Sequence, residues 1–148
     1  MGGGGQMEAV IDTNALVYDY VENSDLHAEA SKWLDSLDGW LVPSVVIEEF
    51  VFVMKKAGVA DGLLQKKVGE TLADGRTRFV PVGAGDVKSA VSLLASEKAS
   101  FMRFNDKLVL SVARRTRAPL LTFDRALRAQ CDGLGVRTVP PRNPPATG

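Results

Sequence analysis

Five short apolar runs recur along the chain, and most are separated by amphipathic stretches long enough for a helix. Glu8-Ala-Val-Ile11, Trp40-Leu-Val-Pro43, Arg78-Phe-Val-Pro-Val82, Pro119-Leu-Leu-Thr122 and Val136-Arg-Thr-Val139 each read as a strand. Strands joined through helices pair in parallel, and a parallel sheet must be covered on both faces. The pattern therefore predicts a three-layer α/β/α domain around a central parallel β-sheet. The intervening helices are expected from Asn14 to about Tyr20, then after Ser24 or Asp25 with Leu26, Ala30, Trp33, Leu34 and Leu37 on one stripe. Ser44 caps the next, with Ile47, Val51 and Met54 inward and Gly58 closing it. Others run from Asp61 to Asp74-Gly75, from Asp86 to about Lys98, and from Asn105 or Asp106 to Thr116 with Leu108, Val112 and Ala113 inward.

A chain of 148 residues fits one domain. Residues 1–6, Met-Gly-Gly-Gly-Gly-Gln, read as an added or disordered leader, with Met7 as the natural start. The domain is expected over 7–139, and the proline-rich stretch 140–148 as a flexible tail. One cysteine (Cys131) and one histidine (His27) exclude a disulfide scaffold and Cys/His zinc sites. Cys131 falls in the polar run Gln130-Cys-Asp-Gly133, which reads as a loop with a spectator thiol. Trp33 and Trp40 read as core or interface residues. With no signal peptide and no apolar run near the roughly 20 residues needed to cross a bilayer, a cytoplasmic protein without membrane contact is expected.

Net charge is zero but unevenly spread. Residues 1–97 carry 8 Lys/Arg against 15 Asp/Glu, whereas 98–148 carry 10 against 3. The last third would attract a polyanion that the first part would repel.

Four acids stand where an open parallel sheet places its ligand site, beyond the carboxyl ends of the strands. Asp12 and Asp124 follow strand-like runs, and Glu49 and Asp106 lie near helix starts. Each has a plainer use: Asp12 and Asp106 as helix caps, Glu49 as a solvated residue like Glu48, Asp124 as a turn. Together they could converge on one rim, where their mutual repulsion calls for a hard divalent ion such as Mg²⁺ or Mn²⁺.

The surrounding motifs carry a resemblance. Val10-Ile-Asp-Thr-Asn-Ala-Leu-Val-Tyr18, Pro43-Ser-Val-Val-Ile-Glu-Glu-Phe50, Asn105-Asp-Lys-Leu-Val-Leu-Ser-Val-Ala-Arg114 and Leu120-Leu-Thr-Phe-Asp-Arg125 resemble the four motifs of PIN domains, in order over residues 8–139. The compact size looks most like the VapC-type toxins of type II toxin–antitoxin pairs. The resemblance implies that Asp12, Glu49, Asp106 and Asp124 are the catalytic, metal-binding carboxylates, that Thr122 supports the site, and that Asn14 orients Asp12. Two departures stand out: Lys107 follows the third acid where the family often has Ala, and Ala126 replaces an acid many members carry. The second departure leaves a second metal position open.

The expected activity is metal-dependent endonucleolytic cleavage of RNA. A bound divalent ion would supply an activated water able to attack the phosphodiester. Arg103, Lys107, Arg114, Arg115, Arg125 and Arg128 supply a basic side, with Arg114 and Arg125 as the foremost phosphate contacts. A cognate antitoxin is the implied partner. A homodimer is expected too, through a surplus apolar stripe of Trp33, Leu34, Leu37, Ile47, Val51 and Met54. Three alternatives remain: a PIN nuclease of RNA maturation, a non-catalytic RNA-binding or interaction module, and an aspartate phosphatase, which Asn14 would leave without its general acid.

Overall fold

A computed structural model describes residues 7–141; the expected leader at 1–6 and the tail beyond 141 lie outside the described residues. The chain order is β1 (Glu8–Ile11), α1 (Thr13–Tyr20), α2 (His27–Ser36), β2 (Gly39–Pro43), α3 (Ser44–Lys56), α4 (Asp61–Ala73), β3 (Thr77–Val80), α5 (Ala84–Glu97), a 3₁₀ turn (Phe101–Arg103), α6 (Phe104–Thr116), β4 (Leu120–Leu121), α7 (Arg125–Gly133) and β5 (Thr138–Val139). The five strands form one fully parallel sheet in the order β3-β2-β1-β4-β5. This is the three-layer α/β/α arrangement expected from the sequence.

Central strands are apolar on both faces because helices cover both. Ala9, Val10 and Ile11 of β1 and Leu120 and Leu121 of β4 are all fully buried. Val10 pairs with Leu41 on one side and Leu120 on the other. From β1 the chain winds outward through β2 to β3, then returns to β4 and winds the other way. The reversal lies between β1 and β4, so loops after these two strands diverge and leave a crevice at their carboxyl ends. Gly39 starts β2 opposite Glu8, and a Cβ there would stand 2.6 Å from the Glu8 carboxylate, so a larger residue would require the exposed Glu8 side chain to shift.

Local details depart from the sequence reading. Ser24 accepts a hydrogen bond from the Leu26 N–H, but α2 has no side-chain cap. Ser44 opens α3 without capping it; its Oγ accepts from the Val82 N–H instead. The inward face of α3 is Val46, Phe50 and Met54, with Ile47 and Val51 at its edge. The stretch after Asp124 is helix α7, not loop, and Cys131 is fully buried within it. Burial pushes that thiol up to about 11, which keeps it protonated and inert. Trp40 belongs to the core, its indole N–H donating to the Leu34 carbonyl at 2.9 Å. Leu34, Leu37 and Met54 also lie in the core, so the apolar stripe is largely spent inside one chain. No helix among the described residues is long and apolar enough to cross a membrane.

Candidate active site

An aspartate caps the helix that follows β1, and another caps the helix that follows β4. Asp12 accepts the Thr13 N–H at 2.9 Å through Oδ1, and Asp124 accepts the Leu127 N–H at 3.0 Å. A carboxylate at a helix start is held in a fixed rotamer at the carboxyl rim. Asp106 stands in the first turn of α6 and Glu49 in the second turn of α3.

Thr122, on the residue after β4, ties the crevice together. Its hydroxyl donates to Asp12 Oδ2 at 2.7 Å and accepts from the Asp124 N–H at 3.2 Å and from Asn14 Nδ2 at 3.4 Å. One donor and two lone pairs are all used. Asn14 therefore acts on Asp12 only through Thr122, and its own Oδ1 accepts the Phe123 N–H at 3.2 Å. Glu49 Oε2 accepts from Asn105 Nδ2 at 3.1 Å, and Arg103 reaches Asp106 Oδ2 at 3.4 Å. Asn105 reads in the sequence only as a possible helix start and the head of the third motif, and nothing in its sequence context separates that use from a hydrogen bond to Glu49.

Asp12 is only 5% exposed, and burial raises its pKa from 3.8 to about 7. The Thr122 and Thr13 hydrogen bonds oppose the rise, while the charges of Asp106 and Glu49 add to it. Asp106 is likewise raised, first by burial and then by Asp124 and Glu49, against the pull of Arg103. Asp12 thus feels the charges of Asp106 and Glu49, and Asp106 those of Asp124 and Glu49, with Arg103 the cation that offsets them at Asp106.

The donor set suits a hard cation. All four acids offer oxygen, and Thr13 Oγ1, one residue from Asp12, is the buried side-chain polar atom among the described residues that lacks a hydrogen-bond partner. The carboxylates do not stand as a closed cage: among the described residues no three Asp, Glu, His or Cys side chains form a ready coordinating group.

The cations divide. Arg125, first residue of α7, is exposed beside Asp124. Arg114 lies eight residues beyond Asp106, at the far end of α6, and is not brought to the acids. Lys107 is buried, pairing with Glu97 at 2.8 Å and donating to Gln130 at 2.5 Å. Arg115 binds Asp86, and Arg128 is buried, donating to the carbonyls of Thr122 and Pro140. These three serve the fold rather than a basic face. A cavity of about 280 Å³ beside Asp106 is lined by Arg103, Lys107, Ala126 and Gln130 among others, so both departures from the family pattern border it.

A small parallel α/β domain with an acidic crevice at its switch point is the class that fold and site define. The PIN domain family matches residues 9–132, and the chain belongs to that family. No curated protein matches it. Among solved structures it is similar to a toxin–antitoxin complex from Klebsiella pneumoniae, at 19% identity and TM-score 0.65 over 92% of this chain and 99% of that one. It is also similar to VapC20 of Mycobacterium tuberculosis, a sarcin-ricin loop cleaving toxin, at 16% identity and TM-score 0.71 over 82% and 94%. VapBC2 from Rickettsia felis, bound to a promoter DNA fragment, gives 21% identity and TM-score 0.59 over 80% and 88%.

Proposed function

We propose that the protein is a metal-dependent endoribonuclease and the toxin of a toxin–antitoxin pair. The observation that carries this reading is the Asp12 carboxylate, held under mutual repulsion with Asp106 and Glu49 at the switch point of the sheet. Asp12, Glu49, Asp106 and Asp124 would hold Mg²⁺ or Mn²⁺, which supplies an activated water and offsets charge on the transferring phosphate. Thr122 fixes Asp12 Oδ2, Asn14 steadies Thr122, and Asn105 aims Glu49. Arg125 is placed for a backbone phosphate beside Asp124. A shallow rim suits single-stranded RNA, whose bases and strands are accessible, better than a duplex.

The toxin role is supported by the toxin–antitoxin assemblies among its structural relatives, and an antitoxin segment is the proposed cover for the acidic crevice. A second copy of the chain is the other proposed partner. With the stripe around Leu34 spent in the core, Phe52 and Leu63, 64% and 55% exposed, are among the apolar side chains left to meet it, as are Phe101 and Met102. Cleavage of a single-stranded RNA with Mn²⁺, and its loss with EDTA, tests the nuclease. Growth arrest on expression, relieved by the neighbouring small reading frame, tests the toxin. RNA cleavage that persists in EDTA overturns the metal mechanism.

A further inference from the structure

Of the nine described cations in the basic last third, four are spent. Arg103 pairs with Asp106, Lys107 with Glu97, and Arg115 with Asp86, while Arg128 binds backbone carbonyls. Three of the other five, Arg114, Arg117 and Arg137, are exposed around one concavity of about 270 Å³. None of the three has an ion-pair partner among the described residues, and no acid lines the concavity. Its walls are the turn before β4 and the turn before β5, so it opens on the amino rim of the sheet, opposite the acids. Arg117 sits at φ +56°, a left-handed conformation that a side chain of this kind rarely adopts, and its backbone N–H closes α6 on Ala113 and Arg114. A residue that strains the backbone at an exposed turn, where glycine or asparagine would relax it, points to a use for the side chain itself.

The geometry points to a second, phosphate-binding site here, which we propose holds the backbone of the single-stranded RNA engaged at the acids; this rests on the nuclease reading above. Arginine presents a fork of donors matched to phosphate oxygens, and three around one concavity can each neutralise one phosphate. The need arises on the other rim. The crevice repels a polyanion, Arg103 there already serves Asp106, and Arg125 alone is left beside Asp124. Arg114 is eight residues along α6 from Asp106, roughly 12 Å at 1.5 Å per residue. A few nucleotides of extended strand bridge that span.

The test is fluorescence anisotropy with a labelled 12-nucleotide single-stranded RNA in EDTA, across a KCl series. Replacing Arg114, Arg117 and Arg137 by Gln should flatten the slope of log affinity against log salt by about 2, from about 0.7 per phosphate contact, and weaken binding on the order of tenfold. The matching Lys triple should restore the slope. In Mn²⁺ the Gln triple should raise KM on the 12-mer and leave kcat unchanged. A control removes three exposed cations elsewhere, Lys56, Lys66 and Lys88, to the same net charge. An unchanged slope in the Arg triple, or an equal loss in the Lys control, overturns the site while leaving the nuclease reading intact. A parent that neither binds nor cuts RNA overturns both.

Discussion

Thr122 donates its hydroxyl to Asp12 Oδ2 across 2.7 Å, although the two residues are 110 apart in sequence. The bond joins the ends of the two strands between which the sheet reverses. It is fully buried, and the same oxygen accepts from Asp124 and Asn14, so one hydroxyl sets the spacing of two of the four acids. A charge-assisted bond of this kind holds its carboxylate in one rotamer, the state in which a ligand is useful.

Replacing Asp12 by Asn should separate activity from stability. The single amide oxygen can accept from Thr13 or from Thr122 but not both, one ligand charge is gone, and cleavage should fall on the order of 10²-fold or more. The metal-free variant should melt higher than the parent at pH 8. Because burial and the neighbouring acids raise Asp12 from 3.8 to about 7, the native chain binds this proton more tightly than the unfolded chain. Parent stability then falls as pH climbs from about 4 to about 7, and the advantage of Asn should vanish near pH 4. Melting curves in EDTA at both pH values read this directly.

Thr122→Val keeps the shape and removes the hydroxyl. Asp12 Oδ2 and the Asp124 N–H both lose a partner, so kcat should drop roughly 10- to 100-fold, the usual cost of losing a group that orients a ligand. Thr122→Ser should recover most of it. Equal losses in both would mean that the methyl group, not the hydrogen bond, matters.

Glu48 and Glu49 make a matched pair. Glu48 is exposed, whereas Glu49 turns inward to Asn105. Glu49→Gln should lower cleavage at least tenfold and Glu48→Gln leave it unaltered, because adjacent helix residues point about 100° apart. Asn105→Ala should fall between them. The reverse order would place the wrong acid in the crevice.

Away from the site, Asp86 binds Arg115 at 2.9 and 3.0 Å, the Ser111 hydroxyl at 2.7 Å and the Gly83 N–H at 2.9 Å. Burial acts upward on its pKa, but these bonds outweigh it and hold the carboxylate below 3.8. A depressed folded pKa adds stability that is complete above about pH 4 and lost as pH falls further. Asp86→Asn should therefore cost about 1–3 kcal/mol at pH 7 and progressively less in acid, as read by urea unfolding.

Much of this was legible in the sequence, and the failures share a cause. Asp12 and Asp124 could be placed because short apolar strands announce their own ends. Asp106 and Glu49 needed the motif, since helix periodicity alone does not say which turn faces a crevice. On α3 the run Val45-Val46-Ile47 is apolar throughout, so the pattern fits two faces, and packing chose Val46, Phe50 and Met54. Helix α7 was read as loop because its inward stripe is only Leu127, Arg128 and Cys131, one of them charged. The fates of Lys107 and Arg115 depend on partners 10 and 29 residues upstream. Charge counts register such cations but not where they are consumed.

The strand order has a consequence for synthesis. Asp12 leaves the ribosome early, but its Thr122 partner and the fourth acid lie in the last fifth of the chain. β1 pairs with β4, so the central register cannot close until residues 120–121 are free of the exit tunnel. A nascent chain, or one truncated before β4, carries three of the acids without the strand that gathers them. The four acids can therefore be gathered on one rim only after β4 has been made.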